Sequence, residues 1–338
     1  MKIPAAASML RGLSSPYKES DLIVVTGARG FIGANLALSL TASGEKVLAV
    51  DKLSLTTPMY GLGELKWVEM EQLHAWLEAK GTQIQAIAHL GACSDTTVSD
   101  RDYVMRVNLE YTRKLWNFCT REKLPFIYAS SAATYGDGSQ GYDDESDPKK
   151  LIPLNLYGES KQLFDLWALE QTKTPPRWAG LKYFNVYGPR EEHKGRMASV
   201  AFHSFNQIKS TGLVKLFKSH KEGIPDGGQQ RDFVFVEDAV RTTRHFLETV
   251  ATAESSNGLY NCGTGQARSF ADLATAVFSA LKLEPNIEYI PMPEDLRGKY
   301  QYFTQASTAK RIRAGVSKPF HSIEAGVEKY VRYLVAKG

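Results

Sequence analysis

The feature that most constrains this chain is a glycine turn set between a buried strand and a helix. Leu22-Ile23-Val24-Val25-Thr26 is an unbroken apolar run, β-branched at its centre. Such a run suits a strand covered on both faces, as in a parallel sheet. Gly27-Ala28-Arg29-Gly30-Phe31-Ile32-Gly33 follows and reads G-x-x-G-x-x-G. An amphipathic helical run, Asn35 to Ser43, ends at Gly44, and Val47-Leu48-Ala49-Val50-Asp51 is the next strand. Strand, helix and strand in this order make a βαβ unit. Glycines in its turn allow close approach of backbone to a pyrophosphate, and the helix N-terminus offers it free N–H groups and a partial positive charge. Asp51 sits near the ~20-residue offset at which an acid meets the adenine ribose. Gly27, Gly30, Phe31, Ile32, Gly33, Asp51 and Lys52 are therefore candidate dinucleotide-binding residues. Asp51 favours the free 2′-hydroxyl of NAD. Arg29 and Lys52 flank the same place and suit the 2′-phosphate of NADP, which is the preferred expectation.

The alternation continues. Ala86 to Leu90, Phe126 to Ala129 and Ala179 to Phe184 read as strands, with helices over Asp102 to Arg121 and from Tyr157 to Glu170. The expected fold is α/β: a Rossmann-like, doubly wound parallel sheet with a smaller α/β substrate-binding domain. The expected divisions are an N-terminal extension at 1–20, a dinucleotide-binding domain at 21–184 with return segments around 232–262, and a mainly substrate-binding domain at 185–338. In that second half Met197 to Ser210 and Asp272 to Leu281 look helical, and Phe233 to Val236 and Ile287 to Ile290 look like strands.

Tyr157 and Lys161 are four residues apart, so a helix projects both from one face. A lysine ammonium beside a phenol stabilises the phenolate and lowers its pKa from ~10. The phenolate can then take a proton from a substrate alcohol as hydride leaves for a nicotinamide. Tyr333 and Lys337 have the same spacing and read as helix surface. Position separates the two pairs: Tyr157 follows Ser130-Ser131, which ends a strand where open α/β sheets bind ligands. Ser131 can hydrogen-bond the reacting hydroxyl.

Composition narrows the partners. Lys plus Arg number 41 against 37 Asp plus Glu, too even a balance to favour nucleic acid or a membrane surface. Three cysteines, Cys93, Cys119 and Cys262, lack metal-site spacing, so no metal is expected and a cytoplasmic location fits. Cys93 reads as a small buried residue. Met1 to Ser20 lacks a sustained apolar core and makes a poor secretory signal.

The glycine turn, Ser131 and Tyr157-x-x-x-Lys161 resemble the extended short-chain dehydrogenase/reductases, the NAD-dependent epimerase/dehydratase family. More specific blocks are His89-x-Gly91-Ala92-Cys93-Ser94-x-Thr96-Thr97, Tyr128 to Gly136, Tyr183-Phe184-Asn185-Val186-Tyr187-Gly188-Pro189-Arg190-Glu191, His193 to His203, Arg231-Asp232-Phe233-Val234 and Tyr300-Gln301-x-Phe303-Thr304-Gln305-Ala306. From about Ile23 onward they are similar to the sugar-nucleotide 6-epimerases that act on ADP-heptose. The resemblance implies two acid–base residues, Tyr157 and Lys194, on opposite faces of C6 of the heptose. Hydride would pass to NADP and return to the other face of the ketone. It also implies cofactor contacts from Leu90, Gly91, Ala92, Cys93, Ser94, Asn108, Tyr157, Lys161 and Val186, and substrate contacts from Asn185, Arg196, His203, Phe217, Arg231 and Tyr300. A homo-oligomer such as a pentamer and a place in lipopolysaccharide core synthesis are further implications. Two departures stand out: Arg196 occupies a family serine position, and Lys218 to Gln230 is longer than in the family. Another sugar-nucleotide epimerase is the nearest alternative. A dehydratase would carry acids where Ala132 and Ala133 stand. A cofactor-binding regulator would not need Ser131, Tyr157 and Lys161 together.

Overall fold

The computed structural model describes residues 22–52, 54, 58–80, 83–253, 255–297 and 301–337. The expected extension at 1–20 and the candidate Tyr300 lie outside them.

β1 (Leu22–Thr26) lies between β2 (Lys46–Asp51) and β4 (Ile84–His89), parallel to both. Beyond β2 lies β3 (Lys66–Glu69), and beyond β4 come β5 (Phe126–Ser131), β6 (Trp178–Tyr183) and β10 (Gly258–Cys262). The result is a seven-stranded parallel sheet of order β10-β6-β5-β4-β1-β2-β3. Alternate side chains of β1 enter different cores: Ile23 and Val25 one, Val24 the other. That two-sided burial is why its sequence is apolar without alternation.

On one face lie α1 (Phe31–Ala42) and α7 (Val236–Glu248). On the other lie α2 (Leu73–Lys80), α4 (Tyr111–Glu122) and α5 (Leu156–Leu169), around Trp116 and Phe164. α1 is not the amphipathic helix expected. From Phe31 to Leu40 no residue is exposed, because the sheet covers one side and α7 the other. α3 (Arg101–Met105) runs into α4 through a π-helical turn, Arg106–Glu110.

The smaller region has a three-stranded sheet of β7 (Asn185–Tyr187), β9 (Gln230–Phe235) and β11 (Ala267–Ser269), and a pair of β8 (Val214–Phe217) with β12 (Ile287–Ile290). α6 (Val200–Thr211) and α11 (Ile323–Lys337) pack on α8 (Phe270–Ala280). Within 232–262, α7 and β10 join the large layer, whereas β9 stays with the small sheet. Among the described residues no helix is long and apolar enough to cross a membrane, and no His, Cys, Asp or Glu cluster suits a metal.

Candidate active site

The sheet order reverses between β1 and β4, and ligands of open α/β sheets bind beyond the C-terminal ends of strands at such a point. A cavity of about 210 Å³ opens there, lined by Thr26, Gly27, Asp51, Lys52, Gly91 and Cys93 among others. Gly27 has φ +69°, and a Cβ on it would lie 2.7 Å from the Gly91 nitrogen. A Cβ on Gly33 would lie 2.0 Å from the Gly27 carbonyl oxygen. Strand, turn and helix thus meet closer than side chains allow. Gly30 caps α1, with Phe31 and Ile32 opening its first turn. Asp51 accepts from the backbone N–H of Arg29 and of Lys52, both at 2.8 Å, while burial raises its pKa. Lys52 Nζ donates to the Tyr103 hydroxyl at 3.1 Å.

A buried hydrogen-bond chain supports this floor. Thr26 Oγ1 meets His89 Nδ1 at 2.7 Å, and His89 Nε2 meets Thr112 Oγ1 at 2.9 Å. Burial drives the His89 pKa down to about 3, so the ring is neutral. Asn108, in the π-helical turn, accepts from the Cys93 N–H at 2.8 Å and donates to the Cys93 carbonyl and Ser160 Oγ, both at 2.9 Å. Its amide therefore holds the Leu90-to-Ser94 loop in place. Cys93 is half-buried, with its thiol pKa raised by burial, which does not suit a nucleophile.

Ser131 ends β5, and its Oγ accepts the Ala133 N–H at 3.1 Å. Asn155 caps α5, taking the Gly158 N–H at 2.8 Å, and the first turn brings the Tyr157 hydroxyl into a hydrogen bond with Ser131. Lys161 Nζ lies 5.9 Å from the centre of the Tyr157 ring. The expectation that the ammonium would lower the phenol pKa is not met here. Burial raises it, and the Ser131 hydrogen bond opposes only in part. Lys161 is itself lowered by burial, to about 8, against the pull of Asp165.

Beneath this pair lies a network that the sequence reading missed. Asp165 is fully buried on α5 and accepts from Tyr128 at 2.9 Å and from Ser130 and Lys182 at 2.7 Å. Lys182, buried in β6, also reaches Thr134 at 2.7 Å. Asp165 lies four residues beyond Lys161, so helical spacing was the available signal.

Lys194 comes from the short turn Glu192–Met197. It is half-buried, with Nζ 5.2 Å from the centre of the Phe31 ring at the start of α1. Burial lowers its pKa, and Glu191 opposes that. Arg196 donates to Thr97 Oγ1 at 2.8 Å, joining the turn to the segment after β4. Lys337, expected as plain helix surface beside Tyr333, donates to Glu192 at 2.9 Å, because α11 ends against the turn. Of the other substrate candidates, Asn185 is exposed, Phe217 is partly buried, and His203 lies on α6 with its ring 6.0 Å from that of Phe202; the cofactor candidate Val186 is partly buried beside Asn185. Arg231 is buried, stacked 5.5 Å from the Phe270 ring centre and donating to the Gln230 carbonyl at 2.8 Å. Asp232 is held separately by Thr264, Gly265 and Ala306.

The profile of the NAD dependent epimerase/dehydratase family matches residues 23–263. An ADP-L-glycero-D-manno-heptose-6-epimerase from Fusobacterium nucleatum is 46% identical over 331 residues, covering 94% of this chain and 98% of its own. The solved Helicobacter pylori enzyme of that name is 26% identical with TM-score 0.78, covering 94% and 97%. A Thermus thermophilus UDP-glucose 4-epimerase, solved with NAD, shares the fold at TM-score 0.76 and 23% identity, covering 94% and 100%.

Proposed function

The chain belongs to the NAD dependent epimerase/dehydratase family, and from that premise we propose that it inverts C6 of the heptose in ADP-D-glycero-D-manno-heptose. It is an epimerase, and its product is ADP-L-glycero-D-manno-heptose. The observation that carries this reading is the 46% identity to a heptose 6-epimerase over 94% of the chain, and it is supported by two candidate proton-exchanging groups on different elements: Tyr157 from α5, and Lys194 from the turn over Phe31.

The Gly27–Gly33 cradle, the α1 N-terminus and the adjoining cavity suit a nicotinamide dinucleotide. When bound, such a cofactor accepts a hydride from carbon and returns it. Gly27, Gly30 and Gly33 would hold its pyrophosphate, and Asp51 and Lys52 its adenine ribose. We assign NADP, on the proximity of the Arg29 and Lys52 cations to Asp51. Ser131 steadies the C6 oxygen while Tyr157 exchanges a proton with it. Lys194 exchanges a proton in the opposite configuration, so neither epimer needs the base that serves the other. Arg231 suits the substrate diphosphate through its planar fork. The remaining assignments are a homo-oligomeric enzyme, a cytoplasmic location and a product used for lipopolysaccharide core synthesis.

NMR at C6 after incubation with ADP-D-glycero-D-manno-heptose tests the activity. Tyr157→Phe and Lys194→Ala should each lower net epimerisation by about a hundred- to ten-thousand-fold. Near-normal turnover by Lys194→Ala would leave Tyr157 as sole base. Calorimetry tests the cofactor: equal affinity for NAD and NADP would remove the phosphate role of Lys52.

A further inference from the structure

The turn that carries Lys194 starts and stops on one buried side chain. Glu191 has 0% of its surface exposed. One carboxylate oxygen accepts the Gly188 N–H at 3.1 Å and the Ser199 hydroxyl at 2.6 Å, and the other accepts the Ser199 N–H at 2.6 Å. Gly188 precedes the turn, and Ser199 follows it as the N-cap of α6. The Glu191 carbonyl also accepts the Lys194 N–H at 2.9 Å. Within the turn Gly195 has φ +54° and ψ −125°, a conformation open to glycine. The path is sharply bent and closed at its base.

We propose that Glu191 is a positioning residue for the reaction: its buried carboxylate ties both ends of the turn that presents the Lys194 amine. The inference rests on the reading of Lys194 as an acid–base group. Around the amine, Glu191 and His193 belong to the same stretch of chain, and the neutral Phe31 ring approaches from α1. His193 is itself held by Tyr60 at 3.0 Å, and burial and Lys194 lower its pKa, so it adds little charge. Glu192 is turned toward Lys337. The Glu191 charge favours the ammonium, against burial, which favours the free amine.

Two substitutions disturb the clamp, one with loss of charge and one without. Glu191→Gln keeps the size of the side chain, removes the charge and sets an amide NH2 against one of the N–H donors that the carboxylate accepts. The pH limb of kcat that belongs to Lys194 should move toward acid. Ser199→Ala keeps the charge and removes one hydroxyl from the clamp. It should lower kcat with KM little changed and the limb in place, and Glu191→Ala should lower kcat by about a hundredfold. Circular dichroism of each variant checks folding, and Ser199→Ala carries the test if Glu191→Gln does not fold. If Lys194→Ala abolishes epimerisation while Glu191→Gln and Ser199→Ala keep the normal profile and kcat, the positioning role is overturned. If Lys194→Ala retains epimerisation, the underlying reading fails, and that result is distinct.

Discussion

Tyr157 stands on α5, whose inner face carries Asp165 to a fully buried ion pair with Lys182 of β6. Lys194 stands on a six-residue turn, tied at its ends by Glu191 and flanked by Lys337 and Tyr60. The first group is supported by the core of the large sheet. The second is supported by side chains that arrive from remote parts of the chain. Loss of the Asp165–Lys182 pair beneath Tyr157 should therefore appear first as lost stability, and damage near Lys194 as lost turnover in a folded protein.

The largest test is Asp165→Ala. It leaves the Lys182 ammonium buried without its carboxylate, and removing one partner of such a pair costs about 3–5 kcal/mol. Urea unfolding measures this, and a loss below about 1 kcal/mol would break the comparison. Next is Lys161→Met. The folded chain holds Lys161 near pKa 8, well below the 10.5 of a lysine in the unfolded chain. Between those values the unfolded chain binds more protons, so this residue makes stability rise with pH across that window. Below pH 8 both states are protonated and the full penalty, on the order of 3 kcal/mol, applies. Lys161→Met should therefore stabilise the protein at neutral pH, with an advantage that shrinks toward pH 10.5, while activity is lost. A pH-independent difference would remove the buried charge as its cause. The smallest effect is expected from Lys337→Ala. Its pair with Glu192 is half-exposed on the lysine side, so unfolding should change by less than about 1 kcal/mol. A few-fold drop in kcat should still follow, because the turn loses a tether. Unchanged kcat would limit the support of Lys194 to the ends of its turn.

The parts of this molecule that repeat at short range were legible in its sequence. β1, the glycine turn, β2 and Asp51 follow from local pattern, and Tyr157 and Lys161 follow from helical spacing. The shape of α1 was misread because its second cover is α7, some two hundred residues further on. The Asp165–Lys182 pair joins a helix to a strand, and no periodicity links them. Glu191 stood at the end of a familiar block, but its clamp depends on Ser199 turning back to meet it. The Lys337–Glu192 contact spans 145 residues, and Lys337 looked like any lysine of an exposed helix.

That last contact also bears on when the site comes into being. The first six strands of the large sheet lie between Leu22 and Tyr183, whereas the tether to the Lys194 turn comes from Lys337. Synthesis proceeds at ~5–20 residues per second, so on the order of ten seconds separates emergence of the turn from emergence of its tether. During that interval a nascent chain presents the Gly27–Gly33 turn and Tyr157 before the Lys194 turn has its tether.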